Sequence, residues 1–237
     1  MKLNLPFFNR KRYIVLKCYT DNRLAYEDAP IILSNKLPAL KNKDYTDQKP
    51  ARYQNRTFNS CYGHIKTLQN SATIVAPCAF QVDVGADHGV SFQFAHEPKD
   101  AKSVDFNHNR DPFYHPLLIN NETILVKQDT HWFVEEATGV PFVFASHIRN
   151  ASQMRIISSI INFKHQHSTV IFNLVSKHQH SYVVEYKTPL VGLYPMSELP
   201  LHVECEWDLE KLAILKNRTA CKPYFRGSVL KLAKENP

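Results

Sequence analysis

Residues 156–196, IISSIINFKHQHSTVIFNLVSKHQHSYVVEYKTPLVGLYPM, set the architecture of this chain. Apolar, β-branched runs at 156–163, 170–175, 182–186 and 190–194 are separated by short polar breaks, which is the pattern of successive strands in a sheet core. The same stretch carries a near-repeat, His-Gln-His-Ser, beginning at His165 and again at His178. Whether those histidines form a site or mark loops is therefore the first functional question.

Working outward, residues 80–84 (Phe-Gln-Val-Asp-Val) and 90–94 (Val-Ser-Phe-Gln-Phe) both alternate with period two. Five residues bounded by Gly85 and Gly89 join them, so a β-hairpin is expected with Phe80, Val82, Val84, Val90, Phe92 and Phe94 on one face. Further strands are expected at 13–19, 73–77, 123–128, 131–135, 140–147 and 201–207. In the last of these Val203, Cys205 and Trp207 should point inward, with His202, Glu204 and Glu206 facing solvent. Asp208 sits where a helix N-cap belongs, and Leu209, Leu212, Ala213 and Leu215 follow at helical spacing up to Asn217. A second short helix or an extended segment is expected in the tail, 224–237. About ten short strands with so little helix predict a mainly β fold, an antiparallel β-sandwich or jelly roll with one or two short C-terminal helices.

The first quarter differs in character. Of the 29 Lys and Arg residues, 13 fall in 1–66, where only 5 of the 22 Asp and Glu residues lie, leaving 16 against 17 in the remainder. All the excess positive charge is thus at the front. Residues 20–57 combine Pro30, Pro38 and Pro50 with many Lys, Asn and Asp residues, and read as irregular structure. A short helix or turn is expected at 61–68. The expected division is a basic, loop-rich arm with one strand at 1–66, packed on a β-sandwich domain at 67–237.

Such an arm attracts phosphates or acidic protein surfaces by long-range, salt-sensitive forces. Arg10, Lys11 and Arg12 beside Tyr13, and Arg52 and Arg56 around Tyr53, are the candidate partner-binding residues. Interleaved cations and aromatics also suit nucleic acid, but no nucleic-acid module surrounds them, so protein partners come first.

Several chemistries are excluded or disfavoured by pattern. With six Gly residues there is neither a dinucleotide fingerprint nor a P-loop, and no Gly-x-Ser-x-Gly or His-Glu-x-x-His occurs. The five cysteines, Cys18, Cys61, Cys78, Cys205 and Cys221, include no Cys-x-x-Cys pair. No apolar h-region opens the chain and no run approaches the ~20 apolar residues of a membrane span. Free thiols in a reducing compartment are expected.

His178, Gln179 and His180 followed by Glu185 resemble the first metal motif of the cupins, and imply a divalent transition metal held by His178, His180 and Glu185 in an oxygenase or isomerase. The introducing Gly of that motif is replaced by Ser176 and Lys177, and strand alternation sets Glu185 on the opposite face from the two histidines. The two His-Gln-His segments together are expected at opposite ends of the strand at 170–175, roughly 20 Å or more apart, too far for one ion. Cys61 with His64, and Asp105, His108, Asp111 and His115, read as chance neighbours and a solvated loop. No cofactor is expected on the leading reading.

The order of features also resembles an uncharacterised family of phage and bacterial β-rich proteins. The similarity is carried by the strand at 14–19 with Tyr26 and Pro30, by Leu37-Pro38 with Lys41, by Asn59-Ser60-Cys61-Tyr62-Gly63, by His115-Pro116 and by residues 188–195, Thr-Pro-Leu-Val-Gly-Leu-Tyr-Pro. Ala39-Leu40 stand where that family usually has Trp-Trp, and Tyr62 replaces a Pro. The family carries no established catalytic residues. What the resemblance implies is context, a phage-encoded β-rich protein of the host cytoplasm or a virion. The sheet-dominated pattern, the basic arm and the lack of a catalytic constellation lead to the expectation of a non-enzymatic structural or interaction protein that docks to other proteins of a particle or assembly.

Overall fold

The computed structural model describes residues 13–37, 62–84, 90–94, 123–148, 150, 155–176, 178 and 181–220. These residues form a mainly β fold, a sandwich of antiparallel sheets with few helices. In chain order the elements are β1 (Ile14–Tyr19), α1 (Arg23–Glu27), β2 (Ile32–Leu33), α2 (Tyr62–Gln69), β3 (Ala72–Val75), β4 (Phe80–Val84) and β5 (Val90–Phe94). There follow β6 (Thr123–Glu135), β7 (Phe142–Ser146), β8 (Arg155–Ile156), β9 (Ser159–Ile161), β10 (Ser168–Ser176), β11 (Ser181–Val184), β12 (Pro189–Pro195), β13 (Leu201–Glu206) and α3 (Leu209–Ala220).

One five-stranded sheet has the order β13-β1-β6-β10-β8, a second the order β2-β3-β12-β7-β9, and a smaller sheet the order β11-β4-β5. A single apolar core joins all three: Ile14, Leu16, Trp132, Val134 and Ile171 from the first, Ile74, Phe142, Phe144, Val191 and Leu193 from the second, Val82, Tyr182 and Val184 from the third. Burying such side chains contributes about 25 cal/mol per Å² of apolar surface removed from water, and this core is the main force holding the layers together. The expected hairpin is β4 and β5, paired Phe80 to Phe94, Val82 to Phe92 and Val84 to Val90. Phe80, Val82 and Val84 are buried and Phe94 packs on the core.

The structure departs from the sequence expectations where long-range pairing overrides local pattern. Residues 123–135 form one strand rather than two. Its β10 partner shifts register between Ser168, opposite Phe133, and Val170, opposite Asp129. The two extra β6 residues are taken up in a bulge where His131 has φ +62°, and the hydroxyls of Thr130 and Thr169 bond beneath it while Thr169 Oγ1 donates to Trp132 O at 2.7 Å.

Residues 156–163 likewise are not one buried strand. β8 pairs with β10 in the first sheet and β9 pairs with β7 in the second, so the chain changes layers between them and leaves Ile160 67% exposed. A run of β-branched residues specifies extended chain, but not which sheet receives it.

One pair breaks the antiparallel pattern. β1 and β13 run parallel, in register Leu16 to Val203, Lys17 to Glu204 and Cys18 to Cys205. Residues 20–37, expected to be irregular, contain α1, capped by the Asn22 carboxamide accepting from Ala25 N at 3.0 Å. Trp207, expected inward, is 41% exposed and tilts against Tyr26 with ring centroids 5.4 Å apart. The strand ends before it, so its alternation no longer applies.

The expected cap of α3 is present: Asp208 Oδ1 accepts from Lys211 N at 2.9 Å. Of the expected apolar stripe, Leu212 and Leu215 are buried against Tyr19 and Phe133, whereas Leu209 and Ala213 are exposed. The helix therefore covers the outer face of the first sheet, pinned by Lys211 Nζ to Glu135 at 2.7 Å and Lys216 Nζ to Asp21 at 2.6 Å. The expected C-terminal tail element at 224–237 lies outside the described residues.

Candidate functional site

His165, Gln166 and His167 directly precede β10 and His178 follows it, at opposite ends of the strand as their spacing predicts. At its start, Asn162 organises a turn: its backbone carbonyl accepts from His165 N and Gln166 N at 3.0 and 2.9 Å, and its side-chain oxygen accepts from Lys164 N at 3.0 Å. His165 is exposed on this turn. His167 is buried, with Nδ1 3.1 Å from Val134 O. A carbonyl oxygen only accepts, so Nδ1 carries the proton and the imidazole acts as a strut between β10 and β6.

At the far end of β10, His178 is exposed in a turn, with its amide donating to Ser176 Oγ at 3.2 Å. The Tyr182 hydroxyl closes that turn by accepting from Ser176 N at 2.6 Å and reaching Ser176 O at 3.3 Å. Glu185 is exposed just past β11, and its carbonyl accepts from Thr188 N at 3.1 Å. His178 and Glu185 thus stand at the two ends of β11, while His180 lies outside the described residues. Among the described residues, no group of three or more His, Cys, Asp or Glu side chains is arranged to hold a metal ion.

The partner-binding candidates Arg10, Lys11, Arg12, Arg52 and Arg56 lie outside the described residues, as do Cys61 and the loop with Asp105, His108, Asp111 and His115. No helix among the described residues is long and apolar enough to cross a membrane.

Buried polar groups unremarked in the sequence are more instructive. Glu136, 1% exposed, directly follows β6 with its carboxylate inside the turn to β7. Oε1 accepts from Thr138 N at 2.7 Å and from the Thr138 hydroxyl, and Oε2 accepts from Gly139 N at 2.7 Å and Val140 N at 3.2 Å. Three backbone donors are gathered by one charged side chain. Gly139 has φ +82°, which only glycine adopts without strain, and its carbonyl accepts from Asn162 Nδ2 at 3.0 Å. Gln128 and Asn173 pair within the core at 3.1 Å. Ser34, Ser71 and Thr73 share a buried hydroxyl chain with links of 2.8 and 2.5 Å.

A cleft of about 660 Å³ opens between α2 and the segment linking β12 to β13, lined by residues including Lys66, Thr67, Tyr194, Ser197 and Glu198. Asn70 holds its wall, with Oδ1 accepting from Leu201 N at 2.7 Å and Nδ2 donating to Leu199 O at 3.0 Å. Burial pushes the Tyr194 phenol above its ordinary pKa, against a backbone hydrogen bond at Ile148. The Tyr194 ring lies over Gly192, where an added Cβ would meet it at 2.3 Å. The lining offers an ammonium, a carboxylate, hydroxyls and an aromatic wall, a set suited to binding polar ligands rather than to nucleophilic chemistry.

At the β1–β13 edge, Lys17 Nζ bonds Glu206 Oε1 at 3.0 Å and lies 3.7 Å from Glu204. That hydrogen bond, and the charge behind it, raise the Lys17 pKa. Beneath them, on the inner face, Cys18 and Cys205 are free thiols at paired positions, Cys18 Sγ donating to Leu16 O at 3.7 Å and Cys205 Sγ to Ile31 O at 3.5 Å. Both strands alternate legibly in sequence, but nothing in either foretells that they pair in parallel.

Fold and side chains together define a β-sandwich whose interior polar groups brace its own turns and strands. Comparison with models of known protein families, with curated proteins and with solved structures finds no match to this chain.

Proposed function

We propose that the protein is a non-enzymatic interaction component built on a β-sandwich, docking to partner proteins through its basic N-terminal region, Arg10, Lys11, Arg12, Arg52 and Arg56. The observation that carries this reading is the employment of its buried polar groups. Glu136 is saturated by its own turn and His167 braces Val134, while Gln128 pairs with Asn173. Groups engaged in this way are poor acids, bases or ligands, and good scaffolding. The concentration of positive charge in residues 1–66 supplies a docking element for an acidic surface. The resemblance to phage proteins suggests a viral particle or assembly as its setting.

Co-sedimentation with purified virions and affinity capture with the full chain test the proposal. Retention is expected, and replacing the five basic residues with Glu should abolish it. Absence from particles and from every captured complex overturns it. The same preparation separates two other readings. Stoichiometric iron, manganese or nickel lost on His178→Ala would establish a metal enzyme using His178, His180 and Glu185, whereas binding to nucleic acid that weakens steeply with salt would establish a phosphate-binding role.

A further inference from the structure

Cys18 and Cys205 are 187 positions apart in sequence and direct neighbours in the fold. The parallel register sets their Cα atoms opposite each other on β1 and β13. Paired strands lie about 4.8 Å apart, and disulfides span Cα separations of roughly 4.4–6.8 Å. Both side chains turn to the inner face, Cys18 within the core and Cys205 packed against it, and both are free thiols. The Cα separation set by this register is within disulfide reach.

The two thiols are chemically unequal. The hydrogen bond from Cys18 draws the Cys205 pKa below that of an ordinary thiol despite its burial, and Cys205 Sγ also lies 3.5 Å from Ile31 O. Cys18 is fully buried, and burial, then its bond to Cys205, raises its pKa well above the usual value. Cys205 is half-buried on a strand at the sheet edge, so it is the thiol a reagent meets first. One accessible attacking thiol beside one shielded resolving thiol is the arrangement that thiol–disulfide exchange requires.

We propose that Cys18 and Cys205 form a redox clasp, a dithiol that closes to an intramolecular disulfide and fastens β13, with α3 behind it, to β1. The oxidant is a low-molecular-weight disulfide. The Cys205 thiolate attacks one of its sulfurs, forming a mixed disulfide as the first small thiolate leaves. Cys18, losing its proton, then attacks the Cys205 sulfur, forming the Cys18–Cys205 bond and expelling the second small thiolate. Two protein thiols are oxidised, one small disulfide is reduced to two thiols, and the two protein protons pass to the departing thiolates.

Closure matters here because β13 is an edge strand. Its only strand neighbour is β1, and alongside that ladder and the packing of Leu201 and Val203 on the core stand exposed ion pairs such as Lys17 to Glu206. A covalent link converts a strand able to detach locally into one that opens only with the core.

The test uses the full chain with Cys61→Ser, Cys78→Ser and Cys221→Ser, leaving only the pair, equilibrated against glutathione and glutathione disulfide. Peptide mass mapping without reductant should find Cys18 joined to Cys205 within one molecule. Amide exchange along β13 should slow by about tenfold or more on oxidation and recover with dithiothreitol. Cys18→Ser should trap Cys205 as the glutathione mixed disulfide. If the triple variant does not fold, the same mapping on the unmodified chain decides the matter. A persistent mixed disulfide on Cys205 with Cys18 still free, a link between molecules, or no reaction overturns the proposal.

Discussion

The turn from β6 to β7 and the edge where β1 meets β13 solve the same problem, tying down chain at the margin of a sheet, by opposite means. In the turn, one buried carboxylate gathers three backbone amides and a hydroxyl, and a glycine at φ +82° shapes the bend. At the edge, the ties are an exposed lysine between two glutamates and a pair of free thiols. Water competes more with the ion pairs at the edge than with the buried carboxylate in the turn, so the turn should be the more rigid and the edge the more adjustable. A protein built this way keeps its core constant while one margin stays open to chemistry.

The sharpest way to break the comparison is Glu136→Ala. It removes the partner of three partly buried backbone amides at once, and at about 1 kcal/mol for each hydrogen bond lost the fall in denaturant unfolding should reach about 3 kcal/mol. A loss below about 1 kcal/mol would mean that water replaces the carboxylate and the turn is no more rigid than the edge. Gly139→Ala, at the same turn, forces a side chain into the left-handed region and should cost about 1–2 kcal/mol by the same measurement. Its Cβ would meet the flexible Lys164 chain at 3.4 Å and Asn162 Nδ2 at 3.9 Å, both ordinary contacts, so an effect of this size isolates the backbone contribution.

At the edge the effects should be smaller and conditional. Burial first, and the Glu206 carboxylate second, push the Tyr19 phenol up to about 12. The folded state therefore favours the neutral phenol. Its contribution is complete below the ordinary value near pH 10 and is lost as pH rises towards 12. Unfolding free energy should fall across that window, and Tyr19→Phe should flatten the decline while leaving stability at pH 7 nearly unchanged. Lys17→Met should register least, no more than about 1 kcal/mol, because its partners are exposed and screened. A large loss there would show that the ion pairs, and not the ladder, hold β13.

Local pattern carried much of the fold. The hairpin of β4 and β5, the strand character of β10 and β12, and the N-cap at Asp208 were legible because alternation and capping act between near neighbours. Ile156 and Ile161 could not be assigned to different sheets from residue type, since the layer change between β8 and β9 depends on which edge, β10 or β7, has room. The turn at His178 was foreseen at the end of β10, yet the strut role of His167 was not, because its acceptor is a carbonyl 33 residues away.

The amino-acid sequence by itself determined that this chain would be β-rich, with an asymmetric charge and no nucleotide-binding loop, for those properties follow from composition and short-range periodicity. The tertiary structure decided what individual groups do. Glu136 became an anchor because its turn folds back onto it. Cys18 and Cys205 became a pair because β1 and β13 lie parallel in one register. Contacts of that kind arise only when the core draws distant strands together, and no local pattern encodes them.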